Sequence, residues 1–353
     1  MAGRVPPVAA FAGVALFPAV LLIWGASAGG WPLWSGFLWM ALAAPAADTI
    51  IARGFGDADE SAEFPLADPA SILLAIAHFT LLITALAAFS TDHLSGWERI
   101  ALFLGAGMFF GQVSNSNAHE LIHRGSRGLF RLGAAVYVSL LFGHHVSAHR
   151  LVHHVYVATD ADPNSARLGE SFWRFFPRAW FGSFRSGLAE ERKRAERSGR
   201  VNPYLLWVGG SLILIAVVFL VFGPRATLDY LAICLYAQMQ LMLSDYVQHY
   251  GLRRGETSGR TEPVGARHSW DAPHPLSSLA MVNAPRHSDH HAHPSRIYPS
   301  LRLNPENPRP MLPYSLPVMG AIAMVPPLWE RMMDKRVAKM MTEPVPQEHP
   351  LGT

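Results

Sequence analysis

Histidine is the residue type in this chain that most demands a chemical explanation: 17 occur in 353 residues, and eight of them fall in three short clusters. The first is His119-Glu120-Leu121-Ile122-His123. Residues four apart share one face of a helix, so this pair can clamp a single ion. The same His-Glu-x-x-His spacing is used by zinc proteases, where Glu120 would be the general base. The second cluster is His149-Arg150-Leu151-Val152-His153-His154, again with a pair four apart and one adjacent imidazole. In the third, His287-Ser288-Asp289-His290-His291, spacings of three and four set all three rings on or near one helical face. A ninth candidate, His249, stands alone in Asp245-Tyr246-Val247-Gln248-His249-Tyr250-Gly251.

Nine imidazoles are too many for one ion, since zinc takes four ligands and octahedral metals six, so two metals are implied. The single cysteine, Cys234, excludes a thiolate zinc finger, a cysteine-held iron–sulfur cluster and an intramolecular disulfide. Any metal must sit on nitrogen or oxygen. Imidazole suits iron, copper, nickel and zinc alike, so ligand type leaves the metal open. Neutral rings bring no charge to offset two divalent ions. Carboxylates should therefore stand close by and orient the rings through their second nitrogen. Glu120, Asp160, Asp162, Asp245 and Asp289 are placed for that role. His78, His93 and His349 lie outside the clusters and are expected to hold no metal.

The elements that must position these residues are largely apolar. Half of the residues are hydrophobic and 16% are charged, against roughly a quarter in soluble domains, while the mean hydropathy of +0.17 is too low for a chain made of spans alone. Apolar runs near 8–26, 31–51, 70–90, 100–113, 204–222 and 227–243 mostly approach the ~20 residues that a transmembrane helix needs. Six spans are expected. The fourth is the shortest and carries Gly105, Gly107 and Gly111, small residues that permit close helix contact in membranes. The first run lacks the flanks of a removable signal peptide and is kept as a span. Stretches at 132–142 and 318–329 are too short to span and read as interfacial or re-entrant.

Lys and Arg crowd the segment after the fourth span, from Arg124 through Arg197, and are almost absent between the first two spans. That segment is therefore expected in the cytoplasm, with the ends of spans two, four and six and the tail beyond Tyr246. All three clusters and His249 then share one side of the membrane. The expected fold is an all-α integral membrane protein: six transmembrane helices under a cytoplasmic, histidine-rich helical cap that holds a dimetal site. Its segments are 1–118 (spans one to four), 119–203 (first and second clusters), 204–247 (spans five and six) and 248–353 (the tail with His-Tyr-Gly and the third cluster). The pI near 9.1 follows from positive-inside loops, and no motif points to nucleic acid.

From His119 to about Arg302 the sequence resembles the integral-membrane non-haem diiron oxygenases, most closely the alkane 1-monooxygenase family. The first box matches His119 to Arg124 and the second His149, His153 and His154, followed by Ala158-Thr159-Asp160-Ala161-Asp162-Pro163. The third box matches Arg286 to Ala292 with Pro294, Tyr298 and Ser300-Leu301-Arg302, and the extra motif matches His249-Tyr250-Gly251. The resemblance implies nine ligands, His119, His123, His149, His153, His154, His249, His287, His290 and His291, on two Fe.

It implies a monooxygenase of the plasma (inner) membrane that uses O2 to hydroxylate the terminal methyl of a medium-chain n-alkane. Its electrons would come from a rubredoxin- or ferredoxin-type donor with an NAD(P)H-dependent reductase. The basic stretch from Arg192 to Arg200 is a candidate dock for that donor. Ala148, Val152, Asp245 and Gln248 replace residues usual in alkane hydroxylases and keep an alkylbenzene methyl, the substrate of xylene monooxygenase relatives, as the alternative. A membrane desaturase is the nearest rival in chemistry. An intramembrane zinc protease would leave two clusters unexplained, and a metal transporter would place its ligands near the bilayer midplane.

Overall fold

A computed structural model describes residues 5–51, 54–59, 61–257, 259–303 and 309–342; His349 lies outside them. The structure is α-helical apart from one two-stranded hairpin, β1 Glu256–Thr257 with β2 Arg260–Thr261. Helix α1 (Val8–Ala28) is apolar on every side and carries no charge. It stops where Gly29 and Gly30 both take positive φ, and α2 (31–50) turns back beside it through a π-helical turn at Trp39–Ala43. Gly25 permits that return, because a Cβ there would meet Leu33 at 2.6 Å. Helix α3 is Ala67–Ser90.

Helix α4 (96–122) starts on a capping box, in which Ser95 Oγ accepts from the Glu98 N–H and the Ser95 N–H donates to Glu98. A π-turn at Phe109–Ser114 interrupts it, and its last turn carries the first histidine cluster. Helix α5 (Arg127–Ser139) runs back into the helix bundle. Its C-terminal carbonyls, which have no partner within the helix, are satisfied there, Ser139 O by the Tyr230 hydroxyl at 2.6 Å and Leu140 O by Gln238 Nε2 at 2.8 Å. Helix α6 (145–156) contains a third π-turn at His149–His153.

Helix α7 (Phe172–Ser198) precedes α8 (Tyr204–His249), which breaks at Gly223, φ 83°, into two helical halves. Short helices α9 (Pro275–Ala280), α10 (His287–Ala292) and α11 (Leu316–Ala323) lead to α12 (Pro326–Thr342).

Among the described residues α1, α3 and α8 are long and apolar enough to cross a membrane. Expected spans two and four fall on α2 and α4, each divided by its π-turn, and spans five and six on the two halves of α8. The first half of α8 turns Leu205, Leu206, Leu212, Ile213 and Leu220 outward, Leu220 at 80% exposure. So large an outward apolar face suits lipid, not water.

Both α4 and the second half of α8 end at the histidine layer, so the two helices run in the same direction. At their opposite ends Arg99 and Asp229 pair at 2.9 Å. Asp48, at the end of α2, accepts from the backbone N–H groups of Leu276 and Ser277 at 2.7 and 2.9 Å, tying the cap helix α9 to the bundle. Trp329 of α12 lies 5.3 Å from Tyr246 and 5.2 Å from Tyr250, and the Tyr250 hydroxyl donates to Asp334 at 2.7 Å. The C-terminal helix thereby clamps the end of α8.

Candidate metal centre

Four helices deliver nine imidazoles to one layer: α4 brings two, α6 three, α8 one and α10 three. They form two groups, His119, His123, His149, His154 and His290, and His153, His249, His287 and His291, with the facing ring atoms of each within 4.8 Å of one another. His119 and His123 share a group, as their spacing of four predicts. His149 and His153 do not. The π-turn adds a residue to that turn of α6, so residues five apart align, and His149 Nε2 faces His154 Nε2 at 2.9 Å. His153 is turned into the second group. In α10 likewise, His287 and His291 go to one group and His290 to the other.

The nitrogens that face one another are all Nε2. His119 and His149 are 2.7 Å apart, His154 and His290 3.1 Å, His249 and His287 3.0 Å, and His287 and His291 3.1 Å. A ring nitrogen carries a proton or a lone pair, never both, so a chain of such contacts cannot relay hydrogen bonds through His149, His154 or His287. A cation at the common centre gives every lone pair a partner. Two nitrogens each about 2.1 Å from one ion and at right angles stand about 3.0 Å apart, which is the observed spacing. The Nε2 atoms of His123 and His153 are buried with no hydrogen-bond partner, as further ligands would be. Burial also pushes the His149, His154, His287, His290 and His291 rings well below the usual histidine range, keeping them neutral for a metal. The donor set fits two imidazole-bound ions.

Outer contacts fix the rings. Burial alone would lower His153, but the Asp162 charge and its 2.9 Å contact with Nδ1 outweigh that and raise it. An ion on Nε2 displaces only the proton on that side; Asp162 keeps the one on Nδ1. His249 Nδ1 lies 3.2 Å from the His268 carbonyl, an orienting group that no side-chain pattern in the sequence announces.

Of the five acidic candidates, Asp162 is the one with a direct bond to a ring of either group. Glu120 accepts from the Tyr298 N–H at 3.2 Å and pairs with Arg124, while burial pushes its carboxyl up to about 7. Asp289 accepts from Arg296 at 2.6 Å and from the Arg302 N–H at 3.0 Å, so Glu120 and Asp289 both anchor the segment after the third cluster. Asp245 accepts from Asn164 at 2.7 Å and borders a cavity beside the groups. Asp160 faces Arg253 at 3.9 Å and is 86% exposed, because the turn carrying it points outward.

Two structural supports stand behind the third cluster: Asp271, which no sequence pattern announces, and Arg286 of the third box. Asp271 accepts from the Ser288 N–H at 2.8 Å, and buried Arg286 donates to Asp57 at 2.6 Å and to the Leu301 carbonyl at 2.7 Å; together they hold α10 in register. His145 is a further buried imidazole, stacked on Phe142 and with its ring 5.1 Å from that of His149, lining the cavity without joining either group. Its spacing of four from His149 was the available signal. His78 bonds Ser139 at 2.8 Å deep in the bundle, and His93 lies 2.9 Å from the Ala26 carbonyl at the far end of α1.

A buried dihistidine-group centre at the end of an apolar helix bundle defines a membrane dimetal protein. Residues 95–322 match the family model described as fatty acid desaturase. The chain is 32% identical over 245 residues to alkane 1-monooxygenase 2 of Alcanivorax borkumensis, covering 68% of this chain and 64% of that relative. It is 32% identical over 326 residues to alkane 1-monooxygenase 1 of the same organism, covering 87% and 79%. To the hydroxylase component of xylene/toluene monooxygenase from Pseudomonas putida it is 27% identical over 227 residues, covering 62% and 58%. The chain belongs to the family that joins alkane monooxygenases with membrane fatty acid desaturases.

Proposed function

We propose that this chain is a membrane-bound diiron monooxygenase that hydroxylates the terminal methyl group of medium-chain n-alkanes to primary alcohols. The observation that carries the reading is the convergence of nine imidazoles into two adjacent groups of five and four. We assign His119, His123, His149, His154 and His290 to one iron and His153, His249, His287 and His291 to the other. When bound, the iron pair supplies the reduction of O2 and the oxidising power for C–H cleavage; the protein supplies positioning and exclusion of water. Asp162 and the His268 carbonyl hold Nδ1 protons so that Nε2 points at the metal.

The cavity beside the groups is walled by Gly111, Leu241, Met281 and Ala284 on its apolar side, a surface against which a methyl group can rest. This reading includes the six-span topology, the four segments given above, a cytoplasmic-facing site in the plasma membrane and electrons from a rubredoxin- or ferredoxin-type donor with its NAD(P)H-dependent reductase. Parallel C-terminal ends of α4 and α8 at the histidine layer, together with the basic loops, support the sidedness.

An alkylbenzene methyl is the second reading. Two of the four departures from alkane-hydroxylase sequence, Asp245 and Gln248, line that cavity and so bear on what it accepts. The test supplies membranes with a competent donor system and offers octane-like alkanes and xylene separately. Primary alcohols from linear alkanes with a chain-length optimum support the first reading, since each buried methylene contributes about 0.8 kcal/mol until the pocket is full. Turnover of xylene alone rejects it, and an alkene product would reject both in favour of desaturation.

A further inference from the structure

Two cavities in this protein share a wall. The inner one lies against His119, His149 and His287. The outer one is a groove between α4, the second half of α8 and α11, bordered by Met108, Tyr236, Met239, Leu243, Ala321 and Met324. Gly111, Ser244 and Met281 border both. The inner cavity offers about 40 Å³ of free space, whereas the groove offers about 210 Å³. At about 10–15 Å³ per water the inner one is too small for an eight-carbon chain as it stands, so it must open to admit one. The groove has no charged residue on its border, and its four methionines, Met281 among them, form a soft, adaptable lining.

Two amide side chains, Gln112 and Gln240, face each other on the border of the groove. Gln112 Nε2 donates to Gln240 Oε1 at 3.0 Å, and Gln240 Nε2 donates to the Gly107 carbonyl at 2.9 Å. Gln240 lies directly across Gly111, the shared residue, since a Cβ at that position would be 2.5 Å from Gln240 Nε2. Glutamines on facing apolar helices are costly unless paired, and here Gln112 donates to Gln240, which passes its own donor on to the backbone. A pair of this kind is closed when bonded and leaves a gap at the shared wall when its side chains swing aside.

We propose that apolar substrate enters this protein sideways from the bilayer through the α4–α8–α11 groove, and that the Gln112–Gln240 pair is the latch that closes the groove from the metal-site cavity. The inference rests on the proposed use of an apolar substrate, but its test requires no turnover. The chain's one native cysteine, Cys234, is buried, so a reporter thiol can be placed alone. Ser116→Cys puts a near-isosteric thiol on the border of the inner cavity, off the groove. In iron-loaded protein in lipid vesicles, its modification is timed with an alkyl methanethiosulfonate that partitions into the bilayer and, separately, with a charged, water-soluble one.

Adding Gln240→Ala should speed the lipid-borne reaction on the order of tenfold, the change that losing one or two net hydrogen bonds allows, and leave the charged reagent unaffected. Adding Ala321→Phe, which fills the groove, should slow the lipid-borne reaction alone. Iron content measured on every variant keeps misfolded protein out of the comparison. Equal lipid-borne rates in all three backgrounds, or faster reaction with the charged reagent, would overturn the proposal. Failure to oxidise any alkane would reject the function and leave these rates standing.

Discussion

Replacing Asp162 tests how the second group of imidazoles is held. Its carboxylate accepts from His153 Nδ1 at 2.9 Å, Ser165 Oγ at 2.7 Å and the Asn164 N–H at 3.0 Å, in a fully buried pocket. Burial raises this carboxyl, yet the neighbouring His153 and the three hydrogen bonds bring it below the usual aspartate range. Asp162→Asn keeps an acceptor for Nδ1 and removes the charge. Loss of such an outer partner costs about 10- to 100-fold in metal affinity, or about 1.4–2.7 kcal/mol. Asp162→Ala also strands three buried donors, each costing about 1–3 kcal/mol, so it should lower the stability of the fold as well.

Iron retained after dialysis against graded chelator, read beside thermal unfolding, separates the two effects. The asparagine variant should lose iron at lower chelator than the unaltered chain while unfolding near the same temperature. The second group should empty before the first, giving an intermediate with about one iron per chain, since His153 alone touches Asp162. If the asparagine variant holds iron as tightly as the unaltered chain, Asp162 is a loop cap and its link to the metal is refuted.

Three other outcomes follow from the same geometry. His249→Ala should lower iron content toward one per chain, whereas His78→Ala, which removes a ring bonded to Ser139 inside the bundle, should leave it at two by metal analysis. Gly251→Ala should destabilise the fold by about 1–2 kcal/mol in thermal unfolding, because Gly251 sits at φ 71° and a Cβ there would approach Val337 to 2.9 Å. A reporter enzyme fused after Gly251 should be active on the cytoplasmic side only; periplasmic activity would invert the proposed topology and part the site from its donor.

Short spacings along the sequence were enough to pick out eight of the nine imidazoles, since ligand chemistry demands particular residue types close together, whereas His249, which stands alone, came with the family resemblance. The sequence by itself was enough also for the apolar helices, because a segment that must face lipid is written in composition alone. Pairing within the site was a different matter. A spacing of four would let His149 and His153 share an ion in a regular helix, and the π-turn between them separates them, a local backbone choice that leaves no residue signature. Only the tertiary structure joined His249 to the third cluster, set Asp162 on His153 while turning Asp160 to solvent, and supplied the His268 carbonyl. These are contacts between segments far apart in the chain, and which of several equally suitable carboxylates or carbonyls reaches a ring is decided by packing of whole helices, not by any pattern along one of them.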